Sequence, residues 1–347
     1  MSPGNETKID AFCHILPRPF FDRVMELGDT PAAAGLRGRI SGIPALYDLD
    51  VRLGQLEEFG PGYRQILSMA APPVEDLGPP EVSKDLARLA NESQAQLVAD
   101  HPERFAGFVA CIPVNDVEAS LAEIDHAVGE LGALGIQIYT HVNGEPFDLP
   151  RFDPLFEKVA DLDKMIWVHP SRNADWPDYP TEDRSLYEIW WALGWPYDTA
   201  VLMARMVFSG KLERHPNLKF LVHHGGSMIP HFSGRVGPGW DQLGSRTPEE
   251  RKSEVANELT RRPLDYFKMF YADTALMGAQ HAIRCALEFF GPEQVLFASD
   301  SPYDPEKGPG FIRETIENLD TLDISDEDRR KIYAGNAQRL FGIEGER

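Results

Sequence analysis

The sequence predicts an α/β protein, specifically a (β/α)8 TIM barrel. Short apolar runs rich in β-branched and aromatic residues recur along the chain, and segments of helical periodicity separate them. Strands that alternate with helices form parallel sheets, and eight such units in 347 residues suit a closed barrel. An open doubly wound sheet is the alternative, but no glycine-rich phosphate loop follows the first run.

Each predicted strand is a short apolar run that ends in a polar residue or a turn. The predicted helices carry apolar residues on one stripe at helical spacing. The predicted strands are Ile9–His14, Tyr63–Met69, Phe105–Ile112, Gly135–Thr140, Met165–His169, Leu218–His224, Met269–Asp273 and Val295–Asp300. The predicted helices are Pro80–Asp100, Val117–Leu134, Asp153–Leu162, Tyr197–His215, Ala279–Phe290 and Gly310–Leu319.

Three long stretches without clear periodicity follow strands 1, 5 and 6, at about residues 18–62, 171–196 and 225–263. In a barrel they extend from the C-terminal ends of strands, where active sites are built, and long loops there are often lids or binding walls. The second stretch carries four tryptophans, which either cover a substrate or pack a subunit interface. We expect the whole chain, 1–347, to form one domain around the barrel.

Composition narrows the class of protein. The chain is 42% hydrophobic and 26% charged, as folded proteins are, and its net charge of −21 disfavours nucleic acid and anionic membranes as partners. Its three cysteines include no CxxC pair, which argues against a disulfide framework. No apolar run is long enough to span a bilayer and no secretory signal is apparent, so a cytoplasmic location is expected.

Four polar residues end predicted strands, and a barrel would bring them to one mouth. They are His14 on strand 1, His169 on strand 5, His224 on strand 6 and Asp300 on strand 8. Two imidazoles and a carboxylate with an open position are typical of a catalytic metal site, and a further histidine can be a ligand or a general acid/base. Strand alternation, counted from an inward His224, predicts that His223 points away from the barrel axis.

A series of motifs, in order along residues 8–341, resembles the amidohydrolase superfamily, in the branch of aminocarboxymuconate semialdehyde decarboxylase and the hydroxybenzoate decarboxylases. Singly these motifs are weak, but together they are specific for the family. They are IDAFCHILP at the first strand, DLDVRL from Asp48, GALGIQI from Gly132, His169-Pro, His224-Gly-Gly with Arg235 eleven residues on, Asp300-Ser-Pro, and GNAQRLF ending at Phe341.

The resemblance implies a barrel with one divalent metal, for which zinc and manganese are favoured and iron is a further candidate. It implies His14, His169 and Asp300 as ligands and His224 as the catalytic acid/base. Arg235 is then expected to meet a substrate carboxylate, either within one protomer or across a dimer interface, and Arg52 is a further substrate-binding candidate. The tryptophan-rich loop, with Trp191, is expected to enclose a small carboxylate.

The chain departs from the family pattern at Phe12, where the branch has the first histidine of an H-x-H pair. Phenylalanine cannot bind a metal, so three interpretations stand. Three protein ligands suffice for a catalytic site, with Phe12 shaping the substrate pocket. Alternatively, a neighbour supplies a replacement ligand, or the site is degenerate and the chain is the partner of an active relative. The candidate replacements are His223, His224, Asp10 and Glu188.

The expected activity is non-oxidative decarboxylation of a small aromatic or unsaturated carboxylate, or a related hydrolysis. Two other classes stay open. One is a subunit of a non-haem iron or mixed-metal monooxygenase on the same fold, for which iron is plausible with imidazole and carboxylate ligands. The other is a metal-poor structural partner. A homodimer, or a hetero-oligomer with a related barrel subunit, is expected.

Overall fold

The computed structural model describes residues 6–27, 31–255 and 259–343. The strands are all parallel and follow one another in sequence order around a ring. β3 is divided at Val109 into two parts, of which the first pairs with β2 and the second with β4. The strands are β1 Lys8–Ile15, β2 Tyr63–Met69, β3 Phe105–Phe108 with Ala110–Cys111, β4 Gly135–Tyr139, β5 Met165–His169, β6 Lys219–Val222, β7 Tyr271–Asp273 and β8 Val295–Leu296.

Backbone hydrogen bonds close the ring between its first and last strands. The amides of Ala11 and His14 donate to the carbonyls of Phe297 and Ser301, both at 2.8 Å, and the Asp300 amide donates to the Phe12 carbonyl at 3.2 Å. A ring without a free edge is what distinguishes a barrel from an open sheet. The structure therefore confirms the predicted (β/α)8 barrel.

The barrel interior is an apolar cluster of inward-facing side chains. Trp167 on β5 and Leu221 on β6 belong to it, and both are fully buried. The indole of Trp167 donates to the Ala11 carbonyl on the far side at 2.8 Å and packs on Phe341 of the C-terminal helix, with 4.9 Å between ring centroids. The filled interior fixes the direction in which the strand ends point.

Helices surround the barrel and pack on the outward faces of the strands, as the periodicity predicts. None of the helices in the described ranges is both long and apolar enough to cross a membrane. The α-helices are Arg18–Glu26, Pro31–Ile40, Leu49–Leu56, Val74–Leu77, Pro80–Asp100, Val117–Ile124, Asp153–Asp161, Ile189–Ala192, Gly194–Phe208, Lys211–Arg214, Pro263–Phe267, Gln280–Phe290, Gly310–Thr321, Asp326–Arg330 and Asn336–Phe341. Short 3-10 or π segments are Pro44–Leu46, Glu57–Phe59, Asp125–Glu130, Pro150–Phe152, Arg235–Gly239, Trp240–Gln242, Glu249–Glu254 and Lys331–Gly335.

The segment after β1 differs from the prediction of an irregular stretch at 18–62, because three of the α-helices lie in it. Phe20 and Val24 bury one face of Arg18–Glu26, and the Asp48 side chain caps Leu49–Leu56 by accepting from the Val51 amide. The segment at 171–196 has no helix before Ile189, and the described residues of the segment at 225–263 form only short 3-10 or π segments before Pro263. All three segments follow the C-terminal ends of strands, on the side where the polar strand ends gather.

Candidate active site

Four side chains from four strands meet at the C-terminal mouth of the barrel. One nitrogen from each of His14, His169 and His223 lies within 4.8 Å of the other two. The Oδ1 atom of Asp300 lies 3.1 Å from His14 Nε2 and 3.2 Å from His223 Nε2. We call His14, His169, His223 and Asp300 the His–Asp cluster. It includes the three predicted ligands and adds His223.

Each imidazole of the cluster is oriented through its other ring nitrogen. His14 Nδ1 lies 3.3 Å from the Met69 carbonyl and His169 Nδ1 lies 2.6 Å from the Pro170 carbonyl. His223 Nδ1 lies 2.5 Å from Asp273 Oδ2. Because carbonyl and carboxylate oxygens only accept, Nδ1 carries a proton in each ring, and any ring that is neutral presents its lone pair at Nε2. Histidine ligands of metals are held in this way.

The prediction that His223 points away from the barrel is wrong. Strand β6 ends at Val222, and alternation counted from the inward Leu221 turns Val222 outward and His223 inward. His224 lies beyond the strand, in the left-handed region at φ 63°. The prediction failed because it counted the alternation from a residue that is not in the strand.

His224 reaches the same mouth from this turn. Its ring stacks on His223 with 3.9 Å between centroids, and its Nδ1 donates to the Ala275 carbonyl at 2.8 Å. One ligand-type atom of His224 lies within 4.8 Å of those of His223 and Asp300. The side chain predicted as acid/base is therefore beside the cluster.

Burial keeps most of these imidazoles neutral. It lowers the pKa of His14, and it lowers the pKa of His169 well below the ordinary range, with the neighbouring imidazoles adding to the effect. Burial, followed by the charge on His223, also lowers the pKa of His224. Although burial opposes it, the His14 and His223 imidazoles beside the carboxylate bring the pKa of Asp300 well below normal. Neutral imidazoles and an ionised carboxylate are the forms that bind a metal.

His223 is the exception among the histidines. Burial opposes its protonation, but the carboxylates of Asp273 and Asp300 outweigh burial and raise its pKa to about 9. Two carboxylates in a dry site require a positive charge between them. A proton on His223 Nε2 supplies that charge, and a cation bound there would supply it equally.

The residues of the cluster fit a divalent metal. His14 Nε2 is buried and makes no hydrogen bond, because its contact with Asp300 lacks hydrogen-bond geometry. A buried, lone-pair-bearing nitrogen that faces a carboxylate is an unsatisfied group, and a cation satisfies both partners. Imidazole nitrogens with one carboxylate oxygen suit zinc, iron and manganese.

Phe12 lies among these histidines on the inward face of β1. It is fully buried, and its ring centroid lies 3.8 Å from that of His223, 5.5 Å from that of His14 and 6.1 Å from that of His169. The Phe12 ring packs against the cluster but has no atom that could bind a metal. Its predicted role as a substrate contact stays a prediction.

Two of the candidate replacement ligands are engaged elsewhere. The Asp10 carboxylate accepts from the Tyr63 hydroxyl at 2.6 Å, from the Ser299 amide at 3.1 Å and from the Ser299 hydroxyl. Glu188 is exposed and accepts from the Trp191 indole at 3.0 Å. Neither belongs to the residue groups near enough to hold one ion within the described part of the chain.

Other predicted contacts lie farther out. Arg52 is buried, and its guanidinium donates to the carbonyls of His14 at 2.8 Å and Ala45 at 3.1 Å and to Gln65. It borders a cavity of about 580 Å³ beside helix Pro80–Asp100, away from the cluster. Arg235 is exposed on the turn after β6.

Among the tryptophans of the loop after β5, Trp195 contacts the site. Its ring centroid lies 5.6 Å from that of His169, and its buried Nε1 has no hydrogen-bond partner. Trp191, the predicted contact, packs on Trp195 with 6.5 Å between centroids. Sequence reasoning missed Trp195 as well as Asp273, although Asp273 ends β7 just as the predicted residues end their strands.

Comparison with known proteins identifies the family. The profile of the amidohydrolase family matches residues 58–343. The chain belongs to the amidohydrolase family. It is 32% identical over 313 residues to gamma-resorcylate decarboxylase of Rhodococcus jostii, covering 85% of this chain and 88% of the relative. It is 29% identical over 299 residues to 2-amino-3-carboxymuconate-6-semialdehyde decarboxylase of Dictyostelium discoideum, covering 86% and 77%.

Solved structures agree. The amidohydrolase described here superposes on 5-carboxyvanillate decarboxylase of Sphingomonas paucimobilis with a TM-score of 0.80 and 26% identity, over 97% of this chain and 99% of the other. It superposes on a dihydroxybenzoic acid decarboxylase of Polaromonas sp., determined with bound manganese and 2-nitroresorcinol, with a TM-score of 0.75, 26% identity and 98% coverage of both. The predicted branch of the family is thereby confirmed, and these relatives are decarboxylases, one of them determined with bound manganese.

Proposed function

We propose that this amidohydrolase is a metal-dependent non-oxidative decarboxylase of a small aromatic carboxylate. The observation that carries the proposal is the meeting of His14, His169 and Asp300 beside His224 at the mouth of the barrel. The relatives of the chain are decarboxylases, several of them acting on hydroxylated benzoates by name.

His14, His169 and Asp300 would hold the metal. When bound, a divalent cation supplies positive charge that binds carboxylate and hydroxyl oxygens and favours negative charge developing on them. The surrounding burial strengthens every such interaction, because little water remains to screen it. Binding would fix the substrate with its reacting carbon toward the free edge of His224.

His224 is placed to transfer the proton. Its Nδ1 is committed to the Ala275 carbonyl, so Nε2 exchanges the proton with the substrate. Nε2 is unprotonated in the neutral ring, so it first takes the proton of a substrate hydroxyl, which the product later regains from water, and delivers that proton to the ring carbon that bears the carboxylate. The bond from that carbon to the carboxylate then breaks, its electron pair returns to the ring, and carbon dioxide leaves. Positioned general acids of this kind contribute about 10²–10⁴-fold in rate.

The walls of the site suit a flat, partly apolar ring. Phe12 and Trp195 lie on two sides, and Tyr139 and Tyr303 pack against His169 and His14 with 5.2 Å and 5.5 Å between centroids. Aromatic walls favour aromatic ligands by stacking and edge contacts. Such contacts support an aromatic carboxylate over an aliphatic one.

Arg235 and oligomerisation belong to the same proposal. Arg235 is exposed in the monomer, eleven residues beyond His224, on a turn that also exposes Phe232. We expect it to meet a substrate carboxylate in the site of a partner protomer, in a dimer. We expect Arg52 to act through the position of His14, whose carbonyl it holds, and the location to be cytoplasmic.

The test is a product assay on protein of known metal content. Metal per chain is measured by mass spectrometry. The manganese-loaded protein is then incubated with 2,6-dihydroxybenzoate, 5-carboxyvanillate and 6-methylsalicylate, and release of carbon dioxide is followed with oxygen uptake. Release from at least one compound without oxygen uptake supports the proposal. Bound metal with no release from any compound contradicts it, and iron with oxygen uptake would identify an oxygenase instead.

A further inference from the structure

We propose that His223 supplies the metal ligand that Phe12 cannot, and that Asp273 is the residue that orients it. The metal would then be held by the whole His–Asp cluster, His14, His169, His223 and Asp300. The inference rests on the proposed metal site but concerns which residue completes it. The residue after β6, His223, would replace the histidine that the family has at position 12 on β1.

Phe12 fixes the plane of the His223 ring. The two rings stack with 3.8 Å between centroids and 18° between planes. His224 stacks on His223 at 3.9 Å with 24° between planes. Both neighbours therefore lie against ring faces, and the ring edge that carries Nε2 stays open toward Asp300. A phenylalanine at position 12 gives up a ligand but forms a wall that holds another in place.

Asp273 fixes the direction of the ring within that plane. One carboxylate oxygen, Oδ2, binds His223 Nδ1 at 2.5 Å. The other, Oδ1, accepts from the amides of Gly225 at 2.9 Å and Ala275 at 3.2 Å. Both residues of the pair have fully buried side chains. A carboxylate bound to the outer nitrogen of an imidazole fixes its tautomer and strengthens it as a ligand.

The distances suit one ion. Ligand atoms about 2.1 Å from a tetrahedral metal lie roughly 3.4 Å from one another. Asp300 Oδ1 lies 3.2 Å from His223 Nε2 and 3.1 Å from His14 Nε2, and the three histidine nitrogens lie within 4.8 Å of one another. His223 therefore stands in the same relation to Asp300 as the predicted ligand His14 does.

The competing interpretation is an ion pair without a metal role. In it His223 is a permanently protonated imidazolium between Asp273 and Asp300. Such a pair holds the barrel together but leaves Nε2 without a lone pair. The two interpretations differ in whether loss of the His223 ring changes metal affinity, which can be measured without any substrate.

The experiment compares manganese binding by the full chain and its variants. Metal per chain is measured by mass spectrometry and Kd by isothermal titration, with circular dichroism as the check on folding. We expect about one manganese per wild-type chain and a Kd at least about 100-fold weaker in His223→Ala. The matched control is His141→Ala, which removes a buried histidine outside the cluster whose Nδ1 accepts from the Gly144 amide, with unchanged Kd.

A rescue pair keeps the test decisive if removal of the ring perturbs the structure. In the His223→Ala background, Phe12→His restores the histidine that the family places on β1 and is expected to recover most of the lost affinity. Phe12→Leu in the same background is its control and is expected to recover none. Wild-type affinity in folded His223→Ala, or equal affinities in the rescue pair, would overturn the inference. A wild-type chain that binds no manganese would instead overturn the proposed function.

Discussion

Asp273→Asn tests the orientation of His223 with almost no change of shape. Asp273 Oδ1 is held by two backbone amides, at Gly225 and Ala275, which can only donate. The amide oxygen of the asparagine must therefore take that position, and its NH2 group must face His223 Nδ1. His223 then has to accept at Nδ1 and carry its proton on Nε2, where the lone pair for a metal would be.

The magnitude follows from this exchange of tautomers. Loss of an orienting partner behind a histidine ligand typically weakens metal affinity 10–100-fold, which is about 1.4–2.7 kcal/mol. Isothermal titration of the metal-free protein with manganese measures it directly. Asp198→Asn is the matched control, because the Asp198 carboxylate is largely buried and pairs with Arg172, outside the cluster. A Kd equal to that of the wild type in folded Asp273→Asn protein would refute the reasoning.

Three further outcomes are expected. His224→Ala should reduce kcat by about 10²–10⁴-fold while metal content stays at the wild-type level, and metal lost together with turnover would make His224 a ligand. Asp10→Ala should lower the free energy of unfolding by about 3 kcal/mol in urea, because Tyr63 and Ser299 lose a charged acceptor in the dry interior, yet leave metal content unchanged. Burial raises the pKa of Asp76 to about 6. In the unfolded chain the pKa of an aspartate is about 3.9, so folding raises the pKa of Asp76. Ionised Asp76 therefore destabilises the folded state above pH 6 by up to about 3 kcal/mol, and this loss of stability becomes smaller as the pH falls. Asp76→Asn should therefore stabilise the protein at pH 8 and about half as much at pH 5, and an equal gain at both values would contradict the assignment.

The barrel and much of the site could be predicted because both depend on local pattern. Alternating apolar runs locate the strands, and a parallel barrel carries the C-terminal end of every strand to one mouth. His14, His169 and Asp300 follow from that rule. Asp273 follows from it too, and was missed because only histidines and one aspartate matched the family motifs.

The remainder depends on backbone details that sequence pattern does not contain. His223 faces inward because β6 ends at Val222 and the chain enters a left-handed turn at His224. A shift of one residue in the alternation exchanges the two faces of a strand end. Trp195 rather than Trp191 contacts His169 because of the path of a long loop, and no periodicity specifies such a path.

The seam between β1 and β8 joins the two extremes of the chain. Asp10 is bonded to Ser299, 289 residues away, and the Ala11 amide to the Phe297 carbonyl. Before β8 leaves the ribosome, the Asp10 carboxylate lacks the hydrogen bonds from Ser299. At that stage His14 also lacks its contact with Asp300. Neither the sealed ring nor the complete cluster exists until β8 has been synthesised and released. Metal can therefore enter a finished site only once β8 has joined β1, and a product truncated before β8 is recognisable by an open, polar gap beside β1.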